Sequence, residues 1–364
     1  MSFPPNTFNQ VNSQLRSLSE EFSTLPESMQ PSGMLDYIDE KLRAFELQPT
    51  RFGDAGISVD VMGRMSGPEM TSLRVENNTP LNVSGLKVPQ AVVGLAVAKV
   101  LWGFRDEIKD GVRLIFQSRD HEAFDNARLL IKKGLLEDVS VLYGVASTSL
   151  VSEQKVGINF GSLFPSSKRF SLSIFGGNGR IPAQRTLVNN IQIAADVVLT
   201  LKQAINRRTD PLKPVVIAIS SIHSEDDRRS TQGKVTLEGS FSTHDDSELE
   251  RVRNVIRDVV KSITYHAEFQ LDIKNESPIL LSNREATKSL QHAAEKFFGR
   301  EHVVTLEFPE SNLGSFREYV KSVPASVLHL GHSSSHSLSP DLGYELLAKS
   351  VKTLAWTLTQ NAHT

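Results

Sequence analysis

The chain has 364 residues, 39% of them hydrophobic and 23% charged, with a formal net charge of -2. That length suits two domains better than one core, and the near-neutral balance excludes the broad basic field of a nucleic-acid binder. There is no cysteine, so disulfides, thiolate metal sites and cysteine nucleophiles are excluded, and zinc could be held only by His, Asp or Glu.

The opening stretch MSFPPNTFNQVNSQ has neither the basic region nor the apolar core of a secretory signal, so a cytoplasmic protein is expected. Leu35, Ile38, Leu42 and Phe45 recur at helical spacing over 34–46. Short strand-like runs follow at Ile57–Val61 and Met70–Glu76, then a helical pattern over roughly 90–106. The longest apolar run, around Val88 to Trp102, is interrupted by Gly94 and Lys99 and is short for a membrane span, so no membrane partner is expected. GVRLIFQ (111–117) is a nearly continuous apolar strand, as in a sheet covered on both faces. A helix from about Glu122 to Lys133 should end at Gly134, and VSVLYGV (139–145) reads as another buried strand. Strands alternating with helices predict an α/β sheet.

The pattern changes near residue 168. RFSLSIF (169–175) alternates, and Leu187, Ile191, Ala194, Val198, Leu201 and Ile205 form an apolar helical stripe. PVVIAIS (214–220) and GKVTLEGSFS (233–242) read as strands, Leu249 to Ile263 as a helix, and YHAEFQLDI (265–273) as a strictly alternating strand. This β-α-β-β-α-β order, with one solvated sheet face, predicts a small inserted domain at 167–280. The α/β pattern returns with a helix near 285–298, strands at HVVTLEF and ASVLHLG, and a last helix over Gly343–Gln360. The larger domain is therefore discontinuous, 1–166 and 281–364.

Several strings occur in an order that resembles the zinc-dependent aminoacylase and carboxypeptidase-type amidohydrolases, a family that includes bacterial N-acyl-amino-acid amidohydrolases, hippurate hydrolases and auxin-conjugate hydrolases. They are AVAKVL (96–101), GVRLIFQ (111–117), KVGINFG (155–161), RRTDPLKPVVI (207–217), VTLEGSFST (235–243), EYVKSVPASVLHLG (318–331) and HSLSPDLGYELL (336–347). The resemblance covers about 15–360. It implies a zinc-exopeptidase-like α/β domain with an inserted lid that often dimerises. It also implies two metal ions that activate a water, a Glu general base, and lid His, Asn and Arg residues that grip the substrate.

Carried across residue by residue, that chemistry is mostly missing. The family's R-A-D-M-D-A-L-P reads Arg74-Val75-Glu76-Asn77-Asn78-Thr79-Pro80. A ligand Cys falls on Gly85, a ligand His on Lys87, an Asp on Val88 and a further His on Gln90. The general-base Glu falls on Asp120, the adjacent ligand Glu on His121, and a ligand His near Ala146. The lid His falls on Arg180, the lid Asn on Arg229 and the carboxylate-gripping Arg on Ser242. Of the ligands, only His336 matches. An ammonium at position 87 would repel a cation, and shortening the base to Asp120 misplaces its carboxylate.

These residues lead to a non-catalytic amidohydrolase-like protein with a binding, scaffolding or regulatory role, a homodimer through the inserted domain. No cofactor is expected. Lys87 or Arg119 should occupy the former metal region and pair with Asp120 or Glu76, with Arg180 and Arg229 adding charge for a small anionic ligand or a protein partner. One alternative is a diverged zinc or manganese hydrolase of N-acyl amino acids or peptide-like amides, its site rebuilt from His121, His336 and the H-x-x-H-x-x-x-H string that starts at His329; another is a small-anion sensor that uses the lid cleft without turnover. FGGNG (175–179) opens no nucleotide-binding pattern, and no G-x-S-x-G elbow marks a serine hydrolase.

Overall fold

The computed structural model describes residues 10–25, 31–63, 69–77, 79–84, 86–119, 123–175, 190–225, 234–264, 268–308, 313–332 and 339–360. In chain order the first elements are α1 (Val11–Ser23), α2 (Pro31–Ala44), β1 (Thr50–Arg51), β2 (Gly56–Val61) and β3 (Met70–Glu76). A hairpin of β4 (Pro80–Val83) and β5 (Leu86–Pro89) leads into α3 (Gln90–Gly103). There follow β6 (Gly111–Gln117), α4 (Ala123–Lys132), β7 (Val139–Thr148), β8 (Val156–Asn159), β9 (Ser162–Phe164) and β10 (Ser166–Phe175). Next come α5 (Asn190–Arg208), β11 (Val215–Glu225), β12 (Lys234–Thr243), α6 (Asp246–Ile263) and β13 (Glu268–Ser277). The chain closes with β14 (Leu280–Leu281), α7 (Arg284–Phe298), β15 (Val303–Leu306), α8 (Phe316–Val320), β16 (Ala325–Gly331) and α9 (Pro340–Thr359).

Two compact units result: Met1–Leu163 with Leu281–Thr364, and Phe164–Leu280. The sequence reading put the joints at 166/167 and 280/281, the first of them three residues later along the chain. In the larger unit eight of the described strands form a mixed sheet in the order β1-β2-β6-β3-β7-β16-β8-β15, and β4 and β5 pair separately. Its centre is parallel: β3 pairs in parallel with β6 and β7, and β7 with β16. Both faces of that centre are covered, which is why GVRLIFQ shows no alternation. The apolar run at 88–102 becomes α3, a helix buried on nearly every side. Among the described residues no helix is long and apolar enough to cross a membrane.

α3 lies very close to the sheet because Gly94 has no side chain. A Cβ there would stand 2.7 Å from the Phe116 ring and 2.8 Å from Val75. Gly134 and Gly299 follow α4 and α7 with φ of 86° at each, a conformation that favours glycine at a helix end. The reading of 1–33 left α1 unassigned; its Val11, Leu15, Leu18 and Phe22 are buried against the main core.

In the smaller unit the sheet order is β11-β12-β10-β13, antiparallel throughout. The elements run β-α-β-β-α-β. Phe170, Leu172, Ile174, Val235, Leu237 and Phe241 make a core with α5 and α6. The buried stripe of α5 is Asn190, Ala194, Val197, Leu201 and Ile205. Ile191, expected in that stripe, is 56% exposed; Leu187 lies outside the described residues.

Candidate functional site

Because β3, β6, β7 and β16 are parallel, Glu76, Gln117, Thr148 and Gly331 end at the same side of the sheet. α3 runs back across the sheet and begins at that side. The Gln90 N–H donates to the Thr79 carbonyl, and the Glu76 N–H donates to Gln90 Oε1 at 2.9 Å. In open α/β sheets this crevice at the carboxyl ends of the strands is where ligands bind.

A buried polar network fills one face of the strand ends. Arg74 and Glu76 sit two residues apart on β3, so both side chains point the same way. Arg74 Nη2 donates to Glu76 Oε1 at 2.5 Å and to Gln117 Oε1 at 2.8 Å. Ser315 Oγ accepts from Arg74 and donates to Glu76 Oε1 at 2.8 Å. The Tyr319 hydroxyl donates to Gln117 Oε1 at 2.9 Å, and Thr79 Oγ1 donates to Glu76 Oε2. Burial by itself would raise the Glu76 carboxyl; Arg74, Thr79 and Ser315 outweigh it and hold the group below the usual carboxylate range. A cavity of about 10 Å³, room for about one water, lies among Arg74, Glu76, Thr79, Gln90 and Phe316.

Arg119 reaches this network from the rim. Its Nε is 4.0 Å from Glu76 Oε2, and its side chain is half exposed. Lys87 does not reach it, contrary to expectation. It sits opposite Asn82 in the β4–β5 hairpin with its side chain in solvent, and no described residue pairs with it. Alternation decides this: Val88, the next residue, is 1% exposed in the core, so Lys87 must face outward. Asp120, His121, Arg180, Arg229 and His336 lie outside the described residues.

The described positions do not fit the family's metal pair. Lys87 is a cation in solvent, Val88 is a core side chain, Gln90 is engaged with the Glu76 backbone, and Ala146 offers only a methyl group. Among the described residues no group of three or more His, Cys, Asp or Glu could hold an ion. His329 is in register with Ala146 and Gly157 and fully buried, its Nε2 without a partner among the described residues. Burial pushes its pKa down to about 4, so the ring is neutral.

Reading from the sequence found Arg74, Glu76 and Arg119 but missed Gln90, Gln117, Ser315 and Tyr319 as members of the network. Gln117 stood inside a quoted string without a role. Ser315 is 239 residues from Glu76, and no local pattern marks it.

Comparison with known proteins agrees with this architecture. The family described as Peptidase family M20/M25/M40 matches residues 90–360. A Synechocystis protein named "Probable hydrolase sll0100" is 24% identical over 267 residues, covering 72% of this chain and 67% of that one. An N-acyl-L-amino acid amidohydrolase of Geobacillus stearothermophilus is 28% identical over 172 residues. That match covers 47% of this chain and 46% of the relative, so it spans about half the relative's length. A Bacillus subtilis protein described as a dinuclear metal binding peptidase of the M20 family has the same fold, with a TM-score of 0.67 at 18% identity over 98% of each chain. The match over most of the chain, on the expected fold, shows that this protein belongs to Peptidase family M20/M25/M40, a family of metal-dependent amidohydrolases and peptidases.

Proposed function

We propose that this chain is a non-hydrolytic member of the family, a binding or regulatory protein that works without zinc. The observation that carries the reading is the use to which the strand-end residues are put. Both Glu76 oxygens are engaged by Arg74, Ser315 and Thr79. Of the family's ligand positions, Ala146 offers no ligand and Lys87 faces solvent, and the neighbouring motif positions Val88 and Gln90 are packed or bonded. The test is metal analysis of protein purified without chelator, together with assays on N-acetyl amino acids and hippurate. The reading expects less than stoichiometric zinc, manganese or nickel and no turnover. One tightly bound ion per chain with turnover that scales with it would overturn it. That outcome would support a diverged hydrolase built on Asp120, His121 and His336, a reading favoured by the hydrolase names of the relatives.

We also propose that the protein is a homodimer through the unit Phe164–Leu280. β11 pairs only with β12 among the described residues, leaving an eleven-residue edge strand with exposed Val216 and Ile222. Exposed Leu199 and Ile191 lie on α5 of the same unit. Open edges with apolar side chains invite pairing with a second chain.

A further inference from the structure

We infer that the first turn of α3, with Asn77, Ser118 and Arg119, forms a binding site for a small oxyanion, a carboxylate or a phosphate. The inference rests on the non-hydrolytic reading and names what the strand-end site would hold in place of metal.

The first observation is the helix terminus. α3 has 14 residues and its N-cap is Pro89, which supplies no side-chain cap. The Gln90 N–H is satisfied by the Thr79 carbonyl. The N–H groups of Ala91 and Val92 have no acceptor within the helix, and no described residue accepts from them. Such a terminus carries partial positive charge and favours an anion.

The second observation is independent. Asn77 is 1% exposed and Ser118 is fully buried, yet Asn77 Nδ2 and Ser118 Oγ have no hydrogen-bond partner among the described residues. The Asn77 amide is not free to turn over: its Oδ1 accepts the Arg119 N–H at 2.9 Å, so the orphaned atom is the donor. Register places these donors. Val75 and Phe116 meet α3 at Gly94. Asn77 and Ser118 lie two residues further along β3 and β6, on the same face, about 6.6 Å on. α3 runs the opposite way, and one turn back from Gly94, about 5.4 Å, is Gln90–Ala91. The orphaned donors therefore face the first turn of the helix.

Charge selects the ligand. Arg74 and Arg119 both stand against Glu76, on the face of β3 opposite Asn77, and among the described residues they leave one positive charge in excess at the strand ends. The helix N–H groups and Asn77 Nδ2 are donors, and the Ser118 hydroxyl can donate as well as accept. A cation would be repelled, and an apolar group would leave Asn77 and Ser118 unsatisfied. An oxyanion accepts several hydrogen bonds at once and balances the charge.

The experiment is a thermal-shift and calorimetric titration of the full chain with sodium phosphate and with sodium acetate, against sodium chloride at matched ionic strength. Binding to the native state raises Tm with ligand concentration. The expected result is such a rise with phosphate, acetate or both, the stronger of the two identifying the oxyanion class. Ser118→Ala and Arg119→Gln should each weaken binding by about tenfold or more, as expected for hydrogen bonds to a charged group. If Ser118→Ala does not fold, the half-exposed Arg119 carries the test. No shift with either salt, or the same affinity in both folded variants, would overturn the inference. So would a crystal grown in phosphate in which ordered water alone satisfies Asn77 and Ser118. Metal analysis of the same sample keeps the two readings apart: bound zinc with turnover removes the non-hydrolytic reading, whereas metal-free protein that ignores both anions removes only the oxyanion site.

Discussion

Arg74 and Glu76 form a buried ion pair whose remaining valences are met by Gln117, Ser315, Tyr319 and Thr79. Removing one partner strands the other. Glu76→Gln leaves the Arg74 guanidinium buried without a counter-charge and should cost about 3–5 kcal/mol, read as a lower urea midpoint at unchanged m. A loss under about 1 kcal/mol would mean that the pair is solvated. Glu76 and His329 act in different pH windows. His329 has its pKa lowered by burial from 6.5 to about 4. The unfolded chain therefore binds the proton first, and stability should fall as pH drops from about 6.5 to about 4, by about 3 kcal/mol in total. His329→Leu should flatten that limb. Glu76 is held below its ordinary value of 4.5, so its contribution is present above that pH and is lost only below it. A stability curve that is level from pH 6.5 to 4 would show that His329 is reached by solvent.

At the scale of the element, Gly94 and β11 make the sharpest expectations. Gly94→Ala forces a methyl group to within 2.7 Å of Phe116 and 2.8 Å of Val75. Both are side chains inside the core, and overpacking of this kind costs about 1–3 kcal/mol; a thermal melt measures it. On β11, Ile222→Lys should convert the proposed dimer to a monomer in sedimentation experiments without loss of secondary structure, because Ile222 is 53% exposed and contributes little to the core of its own unit. A dimer that survives Ile222→Lys and Val216→Lys together would place the interface elsewhere. Most elements were legible as patterns: GVRLIFQ is β6 to the residue, and Gly134 and Gly299 mark the ends of α4 and α7. The β4–β5 hairpin was not, and that omission caused the error over Lys87. An insertion-free alignment of motifs says which residue replaces a ligand, whereas the pleat of β5 decides which way it points.

For the whole molecule, two separate cores divide the chain. If no metal takes part in holding the larger unit together, prolonged dialysis against a chelator should leave Tm within about 1 °C, since a group that binds only the native state is the kind whose removal lowers Tm. A larger fall would point to a resident ion. The sequence by itself determined the class of fold and the family, because periodicity, turn residues and ordered strings are local and survive divergence. It also named Arg74, Glu76 and Arg119, which lie within or beside such strings. The tertiary structure alone decided how they are used. Ser315 and Tyr319 arrive from 239 and 202 residues away in sequence to satisfy Glu76 and Gln117, and α3 is seated against Phe116 and Val75 at Gly94. Hydrogen bonding and burial depend on which chains meet in space, and a hydroxyl's partner three strands or three helices away leaves no trace in the spacing of its own neighbours.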